Sequence, residues 1–322
     1  MPALPPAKRI PRPVRAARNA AQRLYDTFVG VQELNASVET LVSELAVLAA
    51  KLEALSDRTR ADRQTIDANH AEALEILRLI HDDEPANRQR LWRIRETPEY
   101  ARAFEEPEPL VSVCIATYTN TEMLLERALP SVLRQTYQRI EVVVVGDAAA
   151  PEVERAVKGV GDPRVRYANM TVRGPYPESQ DRLWYVAGGP PSNEAMRLAK
   201  GRWIASMDDD DESTPDRVEL LLGAARERNL EFCYGRIARH DPDGATMLLC
   251  EFPPGYAKVG LQASIMHTDM RFICAELGDA LFRVVGDWSR VRRMLRIGVR
   301  MGMIDDVVLH YYPGLLWRRT DA

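Results

Sequence analysis

Residues 202–211 read Arg-Trp-Ile-Ala-Ser-Met-Asp-Asp-Asp-Asp, an apolar run that ends in four consecutive aspartates. Two earlier runs have a similar design. Residues 111–117, Val-Ser-Val-Cys-Ile-Ala-Thr, precede Tyr118, and residues 141–146, Glu-Val-Val-Val-Val-Gly, precede Asp147. Short runs rich in β-branched residues are typical of strands that are buried on both faces of a parallel sheet. Each segment therefore predicts a buried strand with polar residues at its carboxyl end.

Helical patterns separate these strands, as expected of an α/β domain with helices packed on a parallel sheet. We predict a helix opened by Thr214 as N-cap and Pro215 at N1, and a hairpin over 231–251 that turns at Asp243-Gly244. Ligands of such sheets bind outside the carboxyl ends of the strands. The predicted strands are 110–116, 140–145, 164–167 and 202–207, and the predicted helices are 121–135, 151–157 and 192–199.

Composition limits the class of protein. The 322 residues are 46% hydrophobic and 28% charged, which is ordinary for a globular chain. A net charge of −4 gives no general attraction to nucleic acid. We find no apolar run long enough to span a membrane and no signal-like apolar segment. The four cysteines form no C-x-x-C pair, so we expect reduced thiols and a soluble, cytoplasmic protein.

The N-terminal third differs from the rest of the chain in composition and in residue pattern. Residues 1–18 contain five prolines and five Lys or Arg and no acid, which predicts a disordered basic tail. Residues 19–90 predict helix, in two stretches, and Val or Leu fills eight successive a and d heptad positions between Val31 and Leu55. We expect residues 31–55 to form a homo-oligomeric coiled coil. The alternative is one amphipathic helix that packs on its own catalytic domain.

A stretch containing Glu and Pro, 104–109, follows the helical segment. Proline disfavours helix and the acids favour solvent, so we predict a linker over 91–109. The predicted catalytic domain then covers residues 110–322.

The four aspartates 208–211 are the strongest chemical signal. Adjacent carboxylates repel one another, and a buried strand end strengthens that repulsion by lowering the local dielectric. A divalent cation, Mg²⁺ or Mn²⁺, relieves it, and such ions take one or two carboxylates together with water and substrate phosphates. The alternative is that the acidic run forms an ordinary solvated loop or a helix cap. No Gly-rich phosphate-binding loop is present in the sequence, which favours the metal site.

Several ordered motifs resemble the family 2 glycosyltransferases. They are the strand 111–118, the helix end 131–137, the strand 141–147, the segment 199–211, Gly286-Asp-Trp-Ser289 and Val307-Val-Leu-His-Tyr-Tyr312, which together cover roughly 110–313. The resemblance implies a GT-A type, Rossmann-like fold, with a mixed, mainly parallel sheet and helices on both faces, preceded here by the helical coiled-coil segment.

The resemblance also implies the roles of individual residues. Thr117, Tyr118 and Asp147 contact the nucleotide base of a nucleotide-sugar donor, Asp208 faces the ribose, and Asp209 lies beside it in the donor site. Asp210 holds the metal on the diphosphate, and His310 is a further metal or phosphate contact. Asp287 is the general base that takes the proton of the acceptor hydroxyl, and transfer proceeds with inversion. The preferred nucleotide is UDP, and the acceptor is unknown.

Each role has a structural alternative. Tyr118 fits a packing position at a strand end, His310 fits a hydrogen-bonded core histidine, and Asp287 fits an N-cap. The chain also departs from the family, because Gly146 stands where many members have an acid and Ser192 where an Arg is frequent. Trp184 and Arg182 are candidates for sugar stacking or phosphate contact, although aromatic residues more often pack.

Two other functions fit parts of the pattern. One is a coiled-coil scaffold that carries a degenerate, non-catalytic sugar-nucleotide domain, against which the intact acidic run argues. The other is a nucleotidyltransferase, which would need a Gly-rich basic loop after the first strand, where the chain has Ala-Thr-Tyr-Thr-Asn at 116–120.

Overall fold

The computed structural model describes residues 12–313, apart from some side chains of the first helix. The chain divides into two compact units, Met1–Glu75 and Ile76–Ala322. No helix in the described part of the chain is long and apolar enough to cross a bilayer. All four cysteines lie in the described part and are free thiols.

The first unit consists of most of helix α1, Arg12–Asp82. The prediction of two helical stretches is wrong, because Thr59 and Asp62 interrupt the apolar stripe without breaking the helix. Residues 12–18 are helical where a disordered tail was predicted, since Pro13 is compatible with a first helical turn. The rest of that predicted tail, residues 1–11, lies outside the described residues.

The apolar stripe of α1 is exposed. From Val38 to Leu55 its six a and d side chains are 48% to 71% exposed. The side chains of Val31 and Leu34 lie outside the described part. The stripe therefore retains the apolar surface from which self-association was predicted.

Two helices occupy most of the predicted linker 91–109, so that prediction is corrected. They are α2, Glu84–Arg95, and α3, Pro98–Glu105. Pro98 opens a helix here because the first helical position needs no N–H, and Thr97 Oγ1 accepts the Tyr100 N–H at 3.3 Å. The catalytic unit therefore begins well before residue 110.

A buried carboxylate attaches α2 and α3 to the sheet. Glu231 is 0% exposed and accepts hydrogen bonds from Arg95 Nε and Nη2 at 2.7 Å and from Tyr100 Oη at 2.6 Å. The backbone N–H of Arg300 donates to it at 2.8 Å. At the end of α1, buried Asp82 accepts from Arg292 at 2.9 Å and Arg296 at 3.0 Å.

The described sheet has the strand order β3-β2-β1-β4-β8-β6-β9-β5, with β7 paired to β6. The half that ends in the acidic run, β3-β2-β1-β4, is parallel, and β8 pairs antiparallel with β4 and β6. The strands are β1 Val111–Thr117, β2 Ile140–Gly146, β3 Val165–Asn169, β4 Trp203–Met207, β5 Glu212–Ser213, β6 Phe232–His240, β7 Thr246–Leu249, β8 Ser264–His267 and β9 Met301–Tyr311.

Helices pack on this sheet: α6, Pro151–Gly159, on β3; α8, Gly189–Leu198, on β1 and β2; and α9, Arg217–Glu227, on β6, β8 and β9. The expected GT-A type α/β fold with a mixed sheet is confirmed. The remaining helices of the second unit are α4 Thr121–Met123, a π-helical turn Leu124–Ala128, α5 Leu129–Leu133, α7 Gln180–Leu183 and α10 Gly286–Ile297, with 3₁₀ turns at Leu261–Ala263, Thr268–Phe272 and Leu277–Ala280.

One helix start was predicted wrongly and one turn correctly. Helix α9 begins at Arg217 and not at Pro215, and Thr214 instead begins the preceding turn, in which the Arg217 N–H donates to the Thr214 carbonyl at 3.3 Å. The hairpin of β6 and β7 turns at Gly244, whose φ of +86° suits glycine.

Candidate active site

One cavity of about 1680 Å³ opens at the carboxyl ends of β1, β2 and β4. Trp184 and Arg182 also line it, and Trp184 is half exposed, so the ring is available to a ligand. The structure brings together in this cavity all the predicted site residues except His310, namely Thr117, Tyr118, Asp147, Asp208, Asp209, Asp210 and Asp287.

The carboxylates of the acidic run disfavour their own ionisation. The Asp208 side chain is exposed to water within the cavity, but the surrounding cavity walls reduce its solvation. This desolvation, followed by the charges of Asp287 and Asp210, raises its pKa to about 8. Burial raises the pKa of Asp209 to about 6, although Asn120 Nδ2 donates to it at 3.1 Å. The site therefore holds more negative charge than its surroundings compensate.

Asp211 is the most isolated of the four. It is 0% exposed, and neither carboxylate oxygen has a hydrogen-bond partner among the described residues. Burial, followed by Asp208 and Asp210, raises its pKa well above the usual range, and buried Arg217 only partly offsets this. A buried carboxylate without a partner is costly and indicates a missing counter-charge.

These residues fit a divalent cation. Among residues 12–313 no three His, Cys, Asp or Glu side chains are grouped closely enough to hold a metal by themselves. Mg²⁺ and Mn²⁺ sites that bind phosphates need only one or two carboxylates, because water and phosphate oxygens complete the coordination. The excess charge around Asp208 and the unpartnered Asp211 are consistent with such a site.

The structure does not bring His310 to the acidic run. Its Nδ1 lies 2.9 Å from His240 Nε2, and the His240 ring also stacks on Tyr312. Neighbouring Tyr311 lines the cavity instead. Successive side chains of a strand point to opposite faces, so β9 directs His310 away from the cavity. The prediction of His310 as a metal ligand is therefore corrected.

The ends of β1 and β2 form a second part of the cavity. Tyr118 is 40% exposed, which argues against a core packing role, and the Arg173 Cζ lies 4.3 Å from its ring centroid. Buried Asp147 accepts the Gly174 N–H at 2.9 Å, and its other oxygen lies 3.8 Å from Arg173 Nε. The flat Tyr118 ring and the Asp147 carboxylate have the chemistry to contact a nucleobase.

The glycine at 146, where the family often has an acid, has a steric reason. A Cβ at Gly146 would collide with Tyr167 Oη and would lie 2.5 Å from Asn169 Oδ1. The Asn169 side chain bonds both the N–H and the carbonyl of Ala149 at 2.9 Å, which stabilises the loop after β2. A side chain at 146 would displace that contact.

Asp287 is the second residue of α10, whose N-cap is Val285 without a side-chain cap. Its carboxylate does not cap its own helix but accepts the Leu261 N–H at 3.3 Å. Burial raises its pKa, and the Arg290 charge partly opposes that. The alternative in which Asp287 is an N-cap is therefore not what the structure contains.

Sequence reasoning missed three polar residues around the site, Asn120, Arg127 and Arg173. Arg127 lies in the π-helical turn, donates to the Asp210 carbonyl at 2.8 Å and stacks on Tyr312 at 4.1 Å. π-Helical turns are often found at functional sites. No motif marks these side chains, and only the position after β1 or β3 points to them.

This geometry defines a class of protein. It is an α/β domain with an acidic ligand cavity at the carboxyl edge of its parallel strands. Within that class, the family model described as Glycosyl transferase family 2 matches residues 112–176 and 192–278, which include β1 to β4 and the acidic run. The matched part of the chain is a glycosyl transferase family 2 domain.

Two relatives are similar in sequence over less than half of this chain. The putative colanic acid biosynthesis glycosyl transferase WcaA of Escherichia coli (strain K12) is 32% identical over 116 residues, 35% of this chain and 37% of WcaA. UDP-Glc:alpha-D-GlcNAc-diphosphoundecaprenol beta-1,3-glucosyltransferase WfgD of Escherichia coli is 29% identical over 127 residues, 39% of this chain and 45% of WfgD. The chain therefore matches less than half the length of each relative.

Among solved structures, S. aureus TarS 1-349 in complex with UDP-GlcNAc aligns with a TM-score of 0.49 at 17% identity. The alignment covers 63% of this chain and 58% of that chain.

Proposed function

We propose that the chain transfers a sugar from a nucleotide-diphosphate donor to an acceptor hydroxyl, with a divalent cation and with inversion at the anomeric carbon. One observation carries the proposal: Asp147 and Asp208 to Asp210, which follow parallel strands, line one cavity together with Asp287 of α10. That combination offers a nucleotide contact, a metal-binding edge and a base within one enclosed space.

In this proposal each residue of the site has a separate role. Tyr118 and Asp147 hold the base, Asp208 and Asp209 lie along the donor, and Asp210 carries the cation. A bound Mn²⁺ or Mg²⁺ neutralises the diphosphate and favours its departure. Asp287 takes the acceptor proton, the acceptor oxygen forms a bond to the anomeric carbon, and the bond to the nucleoside diphosphate breaks with its electron pair leaving on the phosphate.

UDP is the preferred donor nucleotide. WfgD, which is similar over 127 residues, is described as a UDP-Glc-dependent glucosyltransferase, and this supports the preference without identifying the sugar. A nucleotidyltransferase would release pyrophosphate, whereas the proposed reaction releases a nucleoside diphosphate. The products therefore separate the two enzymes. A degenerate scaffold would release neither.

The α1 stripe supports a second part of the proposal, that the protein is a homo-oligomer through residues 31–55. The exposed leucines of that stripe present an apolar seam, which a second copy of the helix would cover.

The test of the donor site is titration calorimetry with UDP-, GDP- and dTDP-sugars, in Mn²⁺ and in chelator. We expect Asp210→Ala to abolish the metal-dependent part of binding. Asp306→Ala is the matched control, because Asp306 is an exposed acid outside the cavity. Donor affinity that is the same with and without chelator in the unmodified protein would refute metal dependence.

A further inference from the structure

Arg290 is a buried cation in the wall of the cavity. It lies in the first half of α10, is 2% exposed and lines the space beside Asp287. Within the described chain its hydrogen bonds reach one oxygen, the Ile273 carbonyl, from Nε at 3.1 Å. Its Nη2 faces the sulfur atoms of Met196 at 3.2 Å and Met266 at 3.9 Å, which are weak acceptors.

Other arginines of the same helix have carboxylate partners. Arg293, also buried, donates to Glu276 at 2.6 Å, and Arg292 donates to Asp82 at 2.9 Å. No carboxylate of the described residues lies within 4.0 Å of Arg290. A guanidinium stays charged at neutral pH, and burying it without a close anion is costly. Arg290 therefore lacks the compensation that its neighbours have.

Charged side chains of both signs line the cavity. The strongest charged influences on Arg290 are Asp287, one helical turn earlier, and Arg293, and not the aspartates at the end of β4. Arg182 and Arg283 also line the cavity and have no ion pair among the described residues. The cavity is therefore lined both by the acidic run and by arginines that have no ion pair among the described residues.

We propose that Arg290 binds a carboxylate on one of the two sugar substrates, so that the donor or the acceptor sugar is a hexuronic acid. The inference rests on the proposed function. The planar guanidinium fork matches a carboxylate, and a charge-assisted pair formed away from water is strong and selective. The diphosphate of the donor is not this anion, because the proposal already places it at Asp210.

The experiment compares charged and neutral sugars that are otherwise alike. The donor arm measures binding of UDP-glucuronic acid and UDP-glucose with Mn²⁺ by calorimetry. The acceptor arm measures binding of p-nitrophenyl glucuronide and glucoside in the presence of UDP. UDP alone is the reference, because it lacks the sugar but keeps the diphosphate.

In one arm we expect the unmodified protein to prefer the carboxylate sugar by at least about 10-fold, as a hydrogen bond to a charged group contributes about 1.5 to 3 kcal/mol. Arg290→Met, which suits the methionine surroundings, should reduce that preference to about one while UDP affinity stays unchanged. Arg290→Lys should keep part of it. Arg271→Met is the control, because it removes an exposed cation outside the cavity.

Absence of a preference in both arms would overturn the inference, as would a preference that survives in Arg290→Met. An equal loss for charged and neutral sugars would also overturn it and would reduce Arg290 to a partner of Asp287. Failure of UDP and of every UDP-sugar to bind the unmodified protein would instead refute the proposed function, and the inference with it. Thermal unfolding of each variant shows whether it is folded.

Discussion

Replacement of Asp287 by Asn separates catalysis from structure. Asn keeps the shape and can still accept the Leu261 N–H, which now bonds the carboxylate at 3.3 Å. It cannot take a proton from an acceptor hydroxyl. A positioned base typically contributes 10²- to 10⁴-fold, so we expect transfer to fall at least about 100-fold, or about 2.7 kcal/mol in the activation free energy.

We expect the stability of the Asp287→Asn variant not to fall together with its transfer rate. Asp287 is in the first turn of α10, where a negative charge contributes about 0.3 to 1 kcal/mol. Burial opposes this, because it raises the pKa of Asp287 and so disfavours the charged form. We therefore expect an unfolding temperature equal to or above that of the unmodified protein, and unchanged donor affinity.

The assay is release of nucleoside diphosphate with the true acceptor, beside calorimetry of the donor. Near-normal turnover of Asp287→Asn would refute the assignment and would direct the search to another carboxylate that lines the cavity. A loss of donor affinity equal to the loss of rate would also count against it, because Asp287 would then be holding the donor.

Three further predictions concern charge and assembly. In metal-free protein, Asp208→Asn should gain stability over the unmodified chain as pH rises from about 4 to about 8, because Asp208 has a pKa of about 8 when folded and near 3.8 when unfolded. Equal melting temperatures across that range would contradict this. Glu231→Gln should lower the free energy of unfolding in urea by about 1.5 to 3 kcal/mol, since it removes the charge of a fully buried carboxylate that accepts hydrogen bonds from Arg95 and Tyr100. Glu251→Gln, whose ion pair with Lys258 is exposed, should have a much smaller effect because solvent screens the pair, and similar losses in the two variants would show that burial does not matter. Removal of residues 1–75 should convert an oligomer into a monomer in light scattering, and a full-length protein that is already monomeric would reject the coiled coil.

The sequence alone determined the strands and the polar ends that form the cavity. β1, β2 and β4 are each readable from consecutive β-branched or apolar residues, because burial on both faces is a local requirement. Parallel strands share one carboxyl edge, so the residues after them, Asp147 and Asp208 among them, were expected to meet. Asp287 came from the family resemblance and not from any local periodicity.

Tertiary structure decided what depends on distant partners. α2 and α3 belong to the catalytic unit because Arg95 bonds Glu231 across 136 residues, which no nearby pattern encodes. The register of β9 turned His310 to His240 and Tyr311 to the cavity, and a shift of one residue would have exchanged them. The place of Arg290 in the cavity wall is likewise decided by packing, because among the described residues its donors meet one carbonyl and the sulfurs of methionines on α8 and β8. Side-chain environment is a property of packing, and packing joins residues that are far apart in the chain.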